Sequence, residues 1–117
     1  MGRILLADDN ASTRSALMVL LHTRLRINEI DEAVDWDSLL DQAGRRQPGL
    51  ILLDWELTGC PAADGLAELR VVAPQGKVIA LSARPEARLA AMQSGVDAFV
   101  LKIEPPQRLL EAIRALI

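Results

Sequence analysis

Five positions in this chain set reactive side chains at the ends of short apolar runs. Asp8 and Asp9 follow Arg3-Ile4-Leu5-Leu6-Ala7, and Asp54 follows Leu50-Ile51-Leu52-Leu53. Ser82 and Lys102 end two later runs. Carboxylates that converge in this way mainly hold a hard divalent cation such as Mg2+, which takes oxygen ligands and keeps several waters. Three close carboxylates without a cation repel one another, and at least one pKa rises. Once a cation is bound, one carboxylate is free to act as a nucleophile. Asp54 is the choice, because it ends the strand expected to be most buried, at the centre of the sheet, and carboxylates do form aspartyl-phosphate intermediates. A transferred phosphoryl group needs the charge on its oxygens neutralised. Lys102 would supply an ammonium and Ser82 a hydroxyl, with backbone N–H groups after Asp54 and at Ala83 as further donors.

Such convergence requires the runs to be neighbouring parallel strands. Residues 3–7 read as a strand and 11–26 as a helix with Asn10 as its N-cap. Residues 28–34 are a weaker strand. Asp35 then caps a helix whose Trp36, Leu39, Leu40 and Ala43 share one face. Residues 50–53 are unbroken apolar, as in the middle of a parallel sheet. A loop over 55–63 leads to a helix that Asp64 is expected to cap, carrying Leu66, Leu69 and Ala73. Residues 77–81 form the fourth strand and 85–94 the fourth helix, ended by Gly95. Residues 97–101 form the fifth strand, and Pro105-Pro106 opens a last helix on Leu109, Ile113 and Leu116. Five strand–helix units in succession imply an α/β fold, a parallel sheet covered on both faces. Right-handed connections make it a three-layer sandwich. The crevice of such sheets lies at the carboxyl ends of the strands, where all five marked residues fall.

The 117 residues suit one domain spanning 1–117. Half of them are hydrophobic and 25% charged, ordinary for a globular chain with one core. A net charge of −3 argues against a nucleic-acid-binding surface. Lysine occurs only at 77 and 102, arginine supplying the remaining basic residues. The single cysteine, Cys60, excludes an internal disulfide and a cysteine-based zinc cluster, and fits a reducing, cytoplasmic setting. No stretch reads as a signal peptide or a membrane span.

Asp8-Asp9, Asp54, Ser82-Ala83, Phe99 and Lys102, in this order on this frame, resemble the receiver domain of bacterial two-component response regulators. The resemblance runs from Arg3 to Ile117. It implies a flavodoxin-like (βα)5 fold with a five-stranded parallel sheet of order 2-1-3-4-5. It further implies that Asp54 accepts a phosphoryl group from a sensor histidine kinase or a phosphotransfer protein, in phosphorelay signal transduction. Mg2+ would be held by Asp8, Asp9, Asp54 and the backbone carbonyl of Glu56, while Ser82 and Lys102 contact the phosphoryl oxygens. Ser82 and Phe99 would be the switch pair, repacking the face of the fourth helix, fifth strand and fifth helix for a partner or output domain. Such a protein is no enzyme beyond its own phosphoryl transfer and dephosphorylation.

The chain departs from the family pattern at three places. Ile103 follows Lys102 where proline, often cis, is usual; a cis bond to isoleucine would cost roughly 2.5–4 kcal/mol, so a trans bond or stored strain is expected. The loop after Asp54 is about three residues longer than usual, with Leu57-Thr58 in place of methionine-proline. Trp55 is bulky for its place.

Plainer readings exist for each residue. Asp8-Asp9 could cap the first helix in competition with Asn10. Phe99 could be a simple sheet residue, His22 a surface residue and Trp36 a core residue; Glu56 and Arg84, which the resemblance places where they could tune dephosphorylation, could be a surface ion pair. Arg108, Glu111 and Arg114 fit either a homodimer through the fourth-helix to fifth-helix face or a solvated helix. Two other functions compete with the receiver: an interaction module that has lost phosphorylation, and a small Mg2+-dependent phosphohydrolase. No DNA-binding or enzymatic output segment is read within these residues, so the domain is expected to stand alone or to belong to a longer regulator.

Overall fold

The computed structural model describes residues 2–117. Its elements are β1 (Ile4–Ala7), α1 (Ala11–Leu25), β2 (Ile30–Ala33), α2 (Trp36–Arg46), β3 (Leu50–Asp54), α3 (Ala62–Val72), β4 (Lys77–Ser82), α4 (Ala87–Ser94), β5 (Ala98–Leu101) and α5 (Pro106–Leu116). The strands form one parallel sheet in the order β2-β1-β3-β4-β5, as expected for a flavodoxin-like frame. The register pairs Ala7 with Leu53, Asp54 with Leu81 and Ser82 with Leu101, so the strands end almost level.

Alternation along each strand divides the core in two. Leu5, Ile51, Leu53, Val78, Ala80 and Phe99 face α2, α3 and α4. Ile4, Leu6, Leu50, Leu52, Ile79, Leu81 and Val100 face α1 and α5. Because both faces are covered, β1 and β3 read as unbroken apolar runs, and all their residues are buried. Each fully buried leucine or isoleucine contributes about 1.5–3 kcal/mol.

Local chemistry sets the helix ends. The Asn10 side chain accepts from the Thr13 N–H at 2.9 Å and starts α1. Asp35 and Ser38 form a reciprocal capping box at α2. Gly95, at φ 99°, closes α4 in the left-handed conformation that glycine adopts without a steric cost. Asp64 is not the cap of α3. The helix begins earlier, with Pro61 at the N-cap position and its carbonyl accepting from Asp64 and Gly65. Asp64 lies inside the first turn, where its charge favours the positive end of the helix dipole.

The long β3–α3 loop is laid against the start of α2. Trp36 is 2% exposed and donates its backbone N–H to the Thr58 carbonyl at 3.0 Å. Its ring packs so closely on α3 that a Cβ at Gly65 would sit 2.9 Å from it. Leu57 is buried, and Trp55 fills the same core while bonding its N–H to the Leu81 carbonyl at 2.8 Å. Trp55 and Leu57 are thus accommodated by burial, while Thr58, Gly59 and Pro61 stay exposed in a loop tied to α2 through the Thr58 carbonyl. His22 is exposed, as expected.

Candidate phosphoacceptor site

Asp8 lies one residue beyond β1, and Asp54 is the last residue of β3. Both are buried, at 2% and 4% exposure, whereas Asp9 is exposed. One oxygen from each of the three lies within 4.8 Å of the others, a spacing that one cation can bridge. Asp8 is held from three sides. Its Oδ1 accepts from the Asn10 N–H at 2.8 Å, and its carbonyl from the Arg14 guanidinium at 2.6 Å. Its Oδ2 accepts from the Lys102 ammonium at 2.8 Å.

Lys102 also stands 3.4 Å from Asp54 Oδ1. Burial works against its charge, but Asp8 and Asp54 outweigh this and raise its pKa above the ordinary lysine value. Asp54 moves in the same direction for another reason. Burial pushes its carboxyl above the usual aspartate range, and the Asp8 and Glu56 carboxylates add to this. The Glu56 N–H, donating to Oδ1 at 3.0 Å, and Lys102 hold it back only in part. A buried carboxyl with a raised pKa beside an ammonium and two more carboxylates is the pattern of a candidate functional site. The donor set is all oxygen and strongly anionic, which fits Mg2+.

Lys102 reaches the site although no proline follows it. Among the described residues no peptide bond is cis, so Lys102-Ile103 is trans, and the Ile103 side chain is 77% exposed. Glu104 makes the turn instead. Its carboxylate accepts from the Leu101 N–H at 2.8 Å, and its own N–H donates to the Leu101 carbonyl at 3.1 Å. That backbone bond, aided by Arg108, keeps the Glu104 carboxyl below its usual pKa.

Ser82 is fully buried at the end of β4, with the Arg84 N–H donating to its Oγ at 3.0 Å. Its hydroxyl is directed at the Glu56 carboxylate, with both oxygens at 2.9–3.0 Å. Glu56 is thus more than a surface partner of Arg84, whose guanidinium stands 3.7 Å away. Phe99 is buried beneath Arg88, whose guanidinium carbon lies 4.8 Å from the ring centroid. Sequence reasoning missed Arg14, Arg88 and the Glu56–Ser82 contact. Each of these contacts joins residues from different elements or a loop, so none has a local sequence signal.

Comparison with known proteins identifies this frame. The response regulator receiver domain profile matches residues 4–114. The chain belongs to the response regulator receiver domain family. It is 32% identical to the glycerol metabolism activator of Pseudomonas putida over 120 residues, covering all of this chain and 54% of that protein. It is 31% identical to the nitrate/nitrite response regulator NarP of Escherichia coli, covering 97% of this chain and 54% of the relative. The receiver therefore spans about half the length of these relatives. The signal receiver domain of the response regulator NarL from Mycobacterium tuberculosis superposes with a TM-score of 0.85 at 25% identity, over 97% of this chain and 94% of that one. CheY4 of Vibrio cholerae shares the fold, with a TM-score of 0.85 at 19% identity, over 100% and 99% of the two chains. The domain is a signalling receiver of two-component systems rather than a conventional enzyme. Among its described residues no helix is long and apolar enough to cross a membrane.

Proposed function

We propose that Asp54 is the phosphoacceptor of a Mg2+-dependent receiver, charged by the phosphohistidine of a sensor histidine kinase or phosphotransfer protein. The observation that carries this reading is the Asp54 carboxylate, buried, raised in pKa, 3.4 Å from Lys102 and within 4.8 Å of the Asp8 and Asp9 oxygens. With Oδ1 engaged by the Glu56 N–H and Lys102, Oδ2 is the attacking oxygen. It bonds to phosphorus as the phosphorus–nitrogen bond of the donor breaks, and the imidazole leaves with its electron pair and takes up a proton. Asp8, Asp9, Asp54 and the Glu56 carbonyl would hold Mg2+, which when bound neutralises charge on the phosphoryl oxygens. Lys102, 3.4 Å from Asp54, would stabilise the same oxygens with its ammonium, and Ser82 would donate its hydroxyl to one of them. Repacking around Ser82 and Phe99 would carry the change to α4, β5 and α5, the face offered to a partner, an output domain or a second copy.

The test is incubation with acetyl phosphate and Mg2+, read by intact mass and by amide chemical shifts. One phosphoryl adduct, absent without Mg2+ and absent in Asp54→Asn, is expected. An unmodified wild type whose spectrum matches that of Asp54→Asn would leave an interaction module that no longer uses phosphorylation. Steady phosphomonoester turnover that survives Asp54→Asn but not Asp8→Asn would mark a phosphohydrolase instead.

A further inference from the structure

We propose that Glu56 is a positioning residue that holds the resting domain off: its carboxylate captures the one hydroxyl proton that Ser82 would otherwise offer to a phosphoryl group on Asp54. The inference rests on the receiver reading of this site and adds to it a state in which the hydroxyl is withheld.

The argument starts from the capacity of a hydroxyl. Serine has a single O–H to donate, whatever its number of acceptors. Ser82 Oγ lies 2.9 and 3.0 Å from the two Glu56 oxygens, so its proton is committed to that carboxylate. The Arg84 N–H, at 3.0 Å, occupies the acceptor side of the same oxygen and restrains its rotation. Ser82 is fully buried, so no bulk water competes for the proton. A charged acceptor makes this bond stronger than a neutral one. The hydroxyl therefore cannot donate to Glu56 and to a phosphoryl oxygen at once.

Release has an electrostatic cause. Glu56 is two residues from Asp54, and its charge adds to the influences that raise the Asp54 carboxyl above the usual aspartate range. A phosphoryl group on Asp54 adds negative charge beside the Glu56 carboxylate and repels it. Arg84, with its guanidinium 3.7 Å from Glu56 and 3.9 Å from Glu86, is placed to take the displaced carboxylate. The Glu56 side chain is 38% exposed, so it has a solvent-facing path out and the contact is partly screened. Glu56 thus sets a threshold for phosphoryl capture through Ser82.

The experiment is a double-mutant cycle on beryllofluoride affinity in saturating Mg2+, with wild type, Glu56→Ala, Ser82→Ala and the double variant. Removing Glu56 should tighten beryllofluoride binding about five- to tenfold, as expected for one partly exposed hydrogen bond to a charged group. The gain should vanish in the Ser82→Ala background. An equal gain in both backgrounds would make Glu56 a bulk electrostatic influence and overturn the proposal, as would unchanged or weaker binding in Glu56→Ala. A second readout needs no phosphoryl analogue. Side-chain couplings of Ser82 should report one rotamer in the unliganded wild type and averaging in Glu56→Ala. An averaged Ser82 in the wild type defeats the latch even if beryllofluoride binds. Failure of the wild type to bind beryllofluoride defeats the receiver reading, and the couplings then still decide whether Glu56 holds Ser82.

Discussion

The two ends of the sheet use the same side chains to opposite effect. At the amino end every carboxylate of the network has an arginine beside it. Arg3 reaches Glu29 at 2.9 Å and Asp31 at 3.0 Å, with Arg46 3.8 Å from Asp31. Asp97 accepts from the Val78 N–H at 2.7 Å and from Arg70 at 3.2 Å, while Arg70 also binds the carbonyls of Gly76 and Gly95. At the carboxyl end, Asp8, Asp9 and Asp54 crowd together, and one ammonium, Lys102, reaches Asp8 and Asp54. The first arrangement closes turns between strands. The second leaves negative charge less balanced, at a cost in stability that a bound cation would relieve. Stability and function are separated along the strand axis by charge balance rather than by residue type.

Four perturbations sharpen or break this contrast. The largest concerns the unmet demand at the carboxyl end. Mg2+ at a hundred times its dissociation constant should stabilise the domain by about 2.7 kcal/mol. Urea unfolding with and without Mg2+ measures it, and the gain should collapse in Asp8→Asn. An unchanged midpoint in the wild type would mean that the acidic cluster holds no cation. At the balanced end, Asp97→Ala removes an acceptor from a strand N–H and a partner from Arg70, and should destabilise by about 2 kcal/mol in the same assay.

A smaller effect follows from the raised Asp54 pKa. A carboxyl whose folded pKa exceeds its unfolded one favours the folded state fully below the unfolded value, 3.8, and that contribution is lost as pH rises through the folded value. Without Mg2+, Asp54→Asn should therefore raise the melting temperature by a few degrees at neutral pH. The advantage should shrink as pH falls towards 3.8, where wild-type Asp54 is itself protonated. A gain that stays constant with pH would assign the effect to something other than titration. The smallest change is expected at the Arg3–Glu29 pair, where Glu29 is 68% exposed. Glu29→Ala should cost less than about 1 kcal/mol, and less again in high salt.

The contrast also explains what was legible in the sequence. Asp8-Asp9 and Asp54 could be placed because each directly follows an apolar run, and parallel strands of similar length end together. Ser82 could be placed at its strand end for the same reason, and Phe99 on its strand because it lies inside the fifth apolar run. Asp64 was misread as a cap because capping preferences are local, whereas the start of α3 is set by Pro61 and by the packing of Gly65 against Trp36 from another unit. Asp97 looked like the first residue of a strand, and its bond to Val78, 19 positions away, has no local signature.

The sequence by itself determined the alternation of five strands and five helices, and with it the edge at which the acidic residues collect. Hydrophobic period and turn residues act over a few positions, so they can be read from the chain. Only the tertiary structure decided the pairings at that edge. Lys102 meets Asp8 across 94 positions, and Ser82 meets Glu56 across 26. Those choices depend on strand order, register and side-chain reach, which distant segments set together.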